Sequence, residues 1–230
     1  MATIRATSPK PQSGTKLPPL EPGDHLDRAT FHERYKKMPE KVKAELVGGI
    51  VIMPAALRNP HGEFHALLMA WLGTYWIATP GTGVVDNATI LLSEDSEPQP
   101  DACVRIVGGR THVDEDDYLV GPPELVVEVA SSSASYDLHS KRLDYERAGV
   151  AEYLVLVLRE SRAAWFRREN EAFVEMQPSE DGILRSQQFP GLWLEPQAFF
   201  RSDGQRVVNI VNQGLASPEH ARFVERLKNR

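Results

Sequence analysis

The stretch Leu125-Val126-Val127-Glu128-Val129-Ala130 is a nearly continuous apolar run that contains one carboxylate. A short run of this kind is typical of a central strand that is covered on both faces. Because side chains alternate between the two faces of a strand, Val126, Glu128 and Ala130 are expected to share one face. A buried carboxylate without a partner is costly, so Glu128 calls for a chemical explanation.

The elements around this strand predict the rest of the sheet. A helix from about residue 135 to 148 follows the strand and ends at Gly149, a residue type favoured after a helix C-terminus. Residues 152–158 indicate a second buried strand, and residues 84–92 and 100–107 indicate strands that precede the central one. This order predicts an α/β or α+β domain built on a mixed sheet flanked by helices.

The N-terminal part of the chain predicts smaller elements. Residues 1–22 are rich in proline and poor in apolar side chains, which predicts a disordered arm. Asp27 is suited to cap a short helix, and residues 44–54 indicate a β-hairpin around a Gly-Gly turn. Asn59 begins a long amphipathic helix that ends near residue 77.

The domain boundaries follow from this order of elements. Residues 23–205 are predicted to form the folded domain, with antiparallel strands continuing to about residue 194. Residues 206–230 are predicted to form a C-terminal extension, whose helix opens at Ser217-Pro218 with proline in its first turn.

Composition and charge exclude several classes of protein. No apolar run approaches the roughly 20 residues that cross a bilayer, and the first residues lack a signal-peptide pattern. The one cysteine, Cys103, excludes an internal disulfide and a multi-cysteine zinc site, and a cytoplasmic protein without a membrane partner is expected. The net charge of −6 argues against a general coat for nucleic acid, but the acidic residues concentrate at 94–97 and 114–117. A local nucleic-acid site therefore stays open.

Asp101 and Glu128 are the first candidates for chemistry. Asp101 follows Pro100 at the start of a predicted strand, and two carboxylates on adjacent strands repel unless a cation lies between them. Mg²⁺ is the natural candidate, because it is commonly held by one or two carboxylates together with phosphate oxygens. Taken singly, Asp101 also fits a strand-start or turn residue, and Glu128 also fits a partner of a buried basic side chain.

Lys141 adds a positive charge to this pair. It lies on the helix that follows the central strand, and Asp137, Lys141 and Tyr145 share one helical face. An ammonium at this point can neutralise charge that develops on a phosphate or help to position the attacking water. The simpler interpretation is a solvated lysine paired with a neighbouring aspartate.

Several motifs occur in a fixed order along the chain. They are the hairpin at 44–54, His61, Pro100-Asp101, the run from Pro123 to Ser131, Asp137, Lys141, Tyr145, Gly149-Val150-Ala151-Glu152-Tyr153 and Phe189-Pro190-Gly191-Leu192. Together they resemble the Uma family of "putative restriction endonucleases", within the PD-(D/E)xK nuclease superfamily. The resemblance extends from about Thr30 to about Phe200.

This resemblance implies a restriction-endonuclease-like sheet, with Asp101 and Glu128 as ligands of Mg²⁺ or Mn²⁺ and Glu45 as a further acidic residue in the site. It implies hydrolysis of a phosphodiester bond in nucleic acid, DNA rather than RNA, by metal-activated water, with Lys141 supporting the charge on the phosphate. In the superfamily the basic residue usually stands two positions after the second acid, where this chain has Ala130. Lys141 is the expected replacement.

His61 and Tyr145 are candidates for supporting roles. His61 and His65 have the spacing of some metal ligands, but position 62 is Gly and not the Glu of a zinc-protease motif. His61 is expected to hydrogen-bond near the carboxylates or to contact a phosphate. Tyr145 fits either core packing or a hydrogen bond to a metal ligand.

Two other functions stay open at this point. The first is a nuclease-fold module without useful turnover that binds DNA or a protein partner, which fits the acidic net charge and the displaced lysine. The second is a metal-dependent hydrolase of a small phosphoester. A homodimer is compatible with the nuclease interpretation, because nuclease domains that cut both strands commonly pair.

Overall fold

The structure is a computed structural model that describes residues 17–39, 41–53 and 59–229, and of Asn59 and Pro60 it describes the backbone alone. Its helices are α1 (Arg28–Tyr35), α2 (Asn59–Ala78), α3 (Ala134–Tyr136), a π-helical segment (Asp137–Lys141), α4 (Arg142–Ala148), α5 (Pro196–Phe200), α6 (Gly204–Leu215) and α7 (Pro218–Lys228). A 3-10 turn spans Leu158–Glu160. No helix within these ranges is long and apolar enough to cross a membrane.

The strands fall into one large sheet and three small ones. They are β1 (Glu45–Val47), β2 (Ile50–Ile52), β3 (Thr82–Asp86), β4 (Ile90–Leu91), β5 (Ala102–Ile106), β6 (His112–Val113), β7 (Leu119–Val120), β8 (Leu125–Ala130), β9 (Glu152–Val157), β10 (Arg162–Glu169), β11 (Ala172–Glu175), β12 (Leu184–Arg185) and β13 (Trp193–Leu194). The large sheet has the order β11-β10-β9-β8-β5-β3. Its β8 and β9 are parallel, and its other neighbouring pairs are antiparallel.

The predicted strand–helix–strand unit is confirmed as β8, the helical run from α3 to α4, and β9. A parallel pair needs a crossover connection, and the helical run supplies it. All six residues of β8 are buried, as are all six of β9, which agrees with strands covered on both faces. The predicted mixed sheet flanked by helices is therefore present.

The two faces of β8 belong to different layers of the core. Val127 and Val129 pack in one cluster with Trp71 of α2, which lies on that face of the sheet. Val126 packs on the other face with Tyr145 of α4. This alternation puts the side chain of every second residue of β8 toward the helical run, as the sequence predicted.

A third, smaller cluster joins α1 to the hairpin of β1 and β2. Leu20, Phe31 and Leu46 are buried together in it. The hairpin was predicted, and Gly48 and Gly49 form its turn with positive φ angles. The hairpin meets the rest of the fold through a bridge in which Leu46 N donates to the Glu97 carbonyl and Glu97 N to that of Leu46.

The predicted division of the chain at residues 22 and 205 stays a prediction. Of the predicted N-terminal arm, residues 1–16 lie outside the described residues, whereas Leu20 packs on α1 with 4% of its surface exposed. α6 crosses the second boundary and buries Val207 and Val211 in the cluster around α2. The structure thus places α6 against the core of the domain.

Two predictions about strands are corrected. Residues 84–92 were expected to form one strand, but β3 and β4 lie in different sheets. The chain turns between them at Asn87, which has a φ of 48°, a conformation that Asn tolerates better than most residues. The segment between β5 and β8, where no strand was expected, contains β6 and β7, and β7 pairs with β4 on one side and with β6 on the other. Both elements are two residues long, too short for alternation to be visible in the sequence.

Candidate functional site

Asp101 and Glu128 lie side by side on neighbouring strands. Glu128 is in the middle of β8 and 5% exposed, and Asp101 immediately precedes β5. β5 and β8 are antiparallel with Ala102 opposite Val127, which brings Asp101 next to Glu128. The Val129 backbone N–H donates to Asp101 Oδ2 at 2.7 Å and fixes the carboxylate against β8.

Lys141 reaches this carboxylate pair from the helical run. Its Nζ lies 2.9 Å from Glu128 Oε1 and 3.0 Å from Glu45 Oε1. The Tyr145 hydroxyl donates to the same Glu128 oxygen at 3.2 Å. Lys141 is the last residue of the π-helical segment, whose wider turn was not predicted, and segments of this kind are frequent at functional sites.

Glu45 enters the site from outside the large sheet. It is the first residue of β1 and is 5% exposed. The Gln99 backbone N–H donates to Glu45 Oε1 at 2.8 Å, so one oxygen of Glu45 accepts from both Gln99 and Lys141. The hairpin therefore delivers a third carboxylate to a site that is otherwise built on the sheet and the helical run.

His61 and His65 contact different carboxylates. His61 Nε2 lies 3.5 Å from Asp101 Oδ1, and the buried Nδ1 of His61 has no hydrogen-bond partner among the described residues. His65 Nε2 lies 3.1 Å from Asp86 Oδ1 and 3.2 Å from the Asp101 carbonyl oxygen. His61 therefore contacts the side chain of Asp101, and His65 contacts its backbone.

Burial and charge shift the pKa values of these groups in opposite directions. Burial raises the pKa of Glu128 despite the opposing charge of Lys141, and burial also raises the pKa of Asp137. For Asp101 burial acts in the same direction, but the hydrogen bonds from His61 and from the Val129 N–H outweigh it and lower the pKa. The hydrogen bond to Asp101 raises the pKa of His61.

The pKa of Lys141 is also displaced. Burial alone would lower it, but the charges of Glu128 and Glu45 raise it well above its usual value. Lys141 therefore stays an ammonium, and Asp101 stays a carboxylate, at neutral pH.

The donor set fits a hard divalent cation. Glu45, Asp101 and Asp137 are close enough to raise the pKa of Glu128, and Lys141 and His61 are the basic groups that contact these acids. Acid groups thus outnumber basic groups in a buried place, which favours an added cation. No group of three or more His, Cys, Asp or Glu side chains in the described ranges is arranged to hold a metal ion. Two carboxylates with water and substrate oxygens are nevertheless a usual Mg²⁺ environment.

The structure brings together all six residues that the sequence singled out, namely Glu45, His61, Asp101, Glu128, Lys141 and Tyr145. It adds Gln99, which acts through its backbone N–H and so left no signal in its residue type. It also adds Tyr136, whose ring centroid lies 5.9 Å from Lys141 Nζ. Aromatic residues at such positions usually pack in the core, so Tyr136 could not be selected from the sequence.

Comparisons with known proteins identify a family and a similar fold. The family model Uma2, described as "Putative restriction endonuclease", matches residues 29–197. A crystal structure from Anabaena variabilis, described as a "putative nuclease belonging to DUF820", is similar in fold with a TM-score of 0.56 and 13% identity. The similarity covers 78% of this chain and 97% of that one, and at this identity it shows the fold alone. No curated protein matches the chain.

Proposed function

The chain belongs to the Uma2 family, "Putative restriction endonuclease", and we propose that it is an endonuclease that hydrolyses phosphodiester bonds of DNA with a divalent metal ion. The observation that carries the proposal is the position of Lys141 Nζ within 3.0 Å of carboxylate oxygens of Glu45 and Glu128. An ammonium in this place can support negative charge on a phosphate. It would thus do the work of the usual superfamily lysine, which stands two positions after the second acid.

Asp101 and Glu128 would hold the ion, Mg²⁺ or Mn²⁺. A divalent ion bound there lowers the pKa of water and stabilises charge on a phosphate. The side chains of this chain then have separate tasks. Lys141 places a positive charge beside the phosphate, and Glu45 helps to hold the ammonium in position as its second carboxylate partner. His61 keeps Asp101 ionised through its hydrogen bond, since the pKa of Asp101 is lowered.

Tyr145 orients the metal-binding carboxylate. Its hydroxyl donates to Glu128 Oε1, which is also the oxygen that accepts from Lys141. Both donors act on Oε1, so neither of them occupies the other Glu128 oxygen. This arrangement supports a ligand role for that second oxygen.

Metal titration by calorimetry and plasmid cleavage test the proposal together. Wild type should bind Mg²⁺ or Mn²⁺ and cut plasmid DNA, and Asp101→Ala and Glu128→Ala should lose both properties. Glu160→Ala is the matched control, because Glu160 is an exposed carboxylate outside the site. Wild type that binds no divalent ion would refute the metal-dependent mechanism.

A second function follows if cleavage is absent. Lys141 already gives Glu45 and Glu128 a cationic partner without a metal ion, which favours a binding module that retains the nuclease fold without turnover. DNA binding by wild type without cleavage under any metal would support this module. Hydrolysis of a small phosphodiester with no cutting of plasmid would instead indicate a small-molecule hydrolase.

A further inference from the structure

A short lysine-rich segment leads into the strand that carries Glu45. This basic segment, residues 36–43, has the sequence Lys-Lys-Met-Pro-Glu-Lys-Val-Lys and connects α1 to β1. Its Lys37, Lys41 and Lys43 are exposed, and Glu40 lies outside the described residues. In a chain of net charge −6, a run with four lysines and one acid is a marked local exception.

Most other exposed basic side chains of the described ranges face an acid. The ion pairs of these exposed side chains include Arg147–Asp144, Arg162–Glu175, Arg206–Glu195, Arg222–Glu219 and Lys228–Glu225. Lys36 likewise pairs with Asp116. By contrast, no acidic side chain in the described part of the chain lies within ion-pair distance of Lys37, Lys41 or Lys43, so their charge is available to an external anion.

Contacts at both ends hold the basic segment beside the site. At its start, the Tyr35 hydroxyl accepts a hydrogen bond from Gln99 Nε2 at 3.0 Å. At its end, Glu45 accepts from the backbone N–H of the same Gln99. Lys43 precedes Glu45 by two residues, which limits the separation of their Cα atoms to about 7 Å. Lys43 is thus the lysine nearest to the site along the chain, and Lys37 and Lys41 lie on the same short connection between Tyr35 and Glu45.

We propose that Lys37, Lys41 and Lys43 bind the phosphate backbone of duplex DNA and hold the duplex across the site formed by Glu45, Asp101 and Glu128. The inference rests on the proposed function and adds the surface that binds the substrate. It accounts for nucleic-acid binding by an acidic protein, because a few local phosphate contacts supply the sequence-independent part of the affinity. It also explains why the chain places this charge beside the site, where a scissile phosphate must lie.

The salt dependence of DNA binding tests this surface. Fluorescence anisotropy with a labelled duplex in EDTA measures binding without cleavage. Each phosphate contact contributes about 0.9 to the slope of log K against log salt, so Lys37→Ala/Lys41→Ala/Lys43→Ala should reduce the slope by about 2 to 3. Affinity at 0.1 M salt should fall about tenfold or more. The charge-retaining variant Lys37→Arg/Lys41→Arg/Lys43→Arg should keep the slope and the affinity of wild type.

A second triple variant, Arg222→Ala/Arg226→Ala/Lys228→Ala on α7, provides the matched control, since it removes the same net charge from another surface. It should leave the slope unchanged, and thermal melting should show that both variants are folded. Suppose that wild type binds and cuts DNA. An equal loss of affinity in the two alanine variants, or an unchanged slope in the Lys37/Lys41/Lys43 variant, would then overturn the proposed surface alone. A wild type that binds no duplex at low salt would overturn the surface and the DNA substrate together.

Discussion

Replacing Lys141 by Met tests the electrostatic centre of the site through stability. In the folded protein its ammonium lies 2.9 Å from Glu128 Oε1 and 3.0 Å from Glu45 Oε1, with all three side chains at least 93% buried. At an effective dielectric constant of about 20, each contact corresponds to about 5 kcal/mol of attraction, which offsets the desolvation of the charges. Removing one partner of a buried pair leaves uncompensated charge and typically costs about 3–5 kcal/mol.

The loss should depend on pH. Burial already raises the pKa of Glu128, and loss of Lys141 raises it further because the ammonium opposes that shift. When the pKa of a carboxyl group is higher in the folded than in the unfolded protein, its protonation stabilises the fold. This contribution is complete at a pH below the unfolded-state pKa, and it is lost as the pH rises through the folded-state pKa. Lys141→Met should therefore be close to wild type in acid and strongly destabilised at pH 8.

Thermal melting at several pH values measures this effect. For a chain of this size 1 kcal/mol corresponds to about 2–4 °C, so the melting temperature at pH 8 should fall by roughly 10 °C. Glu128→Gln/Lys141→Met should recover part of the loss, and Lys228→Met, in an exposed pair, is the control. A Lys141→Met protein that melts like wild type at pH 8 would refute the view that this ammonium balances buried carboxylates.

Three further predictions concern the scaffold. Glu152→Ala removes a buried acceptor of four hydrogen bonds and should cost about 2–4 kcal/mol in chemical denaturation, whereas an unchanged midpoint would contradict a structural role. Gly214→Ala should lower the melting temperature because the added Cβ would collide with the Gly191 carbonyl oxygen; Gly73→Ala, where the added Cβ meets open space, should not lower it. Burial raises the pKa of Glu97, so Glu97→Gln should stabilise the protein at pH 8 and have little effect at pH 4; the opposite order would exclude this cause.

The sequence was sufficient for the centre of the fold because its signals there are local. The apolar run of β8 with one acid, the glycine after α4 and the apolar run of β9 each have a direct structural meaning, and together they define the parallel pair. The short strands β6 and β7 were missed, and β4 was joined to β3 in one predicted strand, because two residues cannot show a period. The π-helical segment was missed because its hydrogen-bond pattern leaves no separate trace in residue spacing.

For the site, residue type and resemblance selected side chains that the structure brings together, but the sequence could not give their geometry. Lys141 could have pointed to solvent, as most helix lysines do, and only the packed helix shows its ammonium between two carboxylates. Gln99 acts through a backbone group that every residue but proline possesses. Contacts of this kind depend on how distant segments meet, which single-residue patterns do not encode.

The hairpin that carries Glu45 has a consequence for how the protein loses function. Its apolar contacts belong to the small cluster around Leu46 and Phe31, separate from the clusters that hold Asp101 and Glu128 in the large sheet. Elements with few buried contacts open locally at a lower free energy than the whole domain. Warming should therefore release Glu45 before the sheet melts, so that the active fraction follows the stability of one small cluster and not that of the domain.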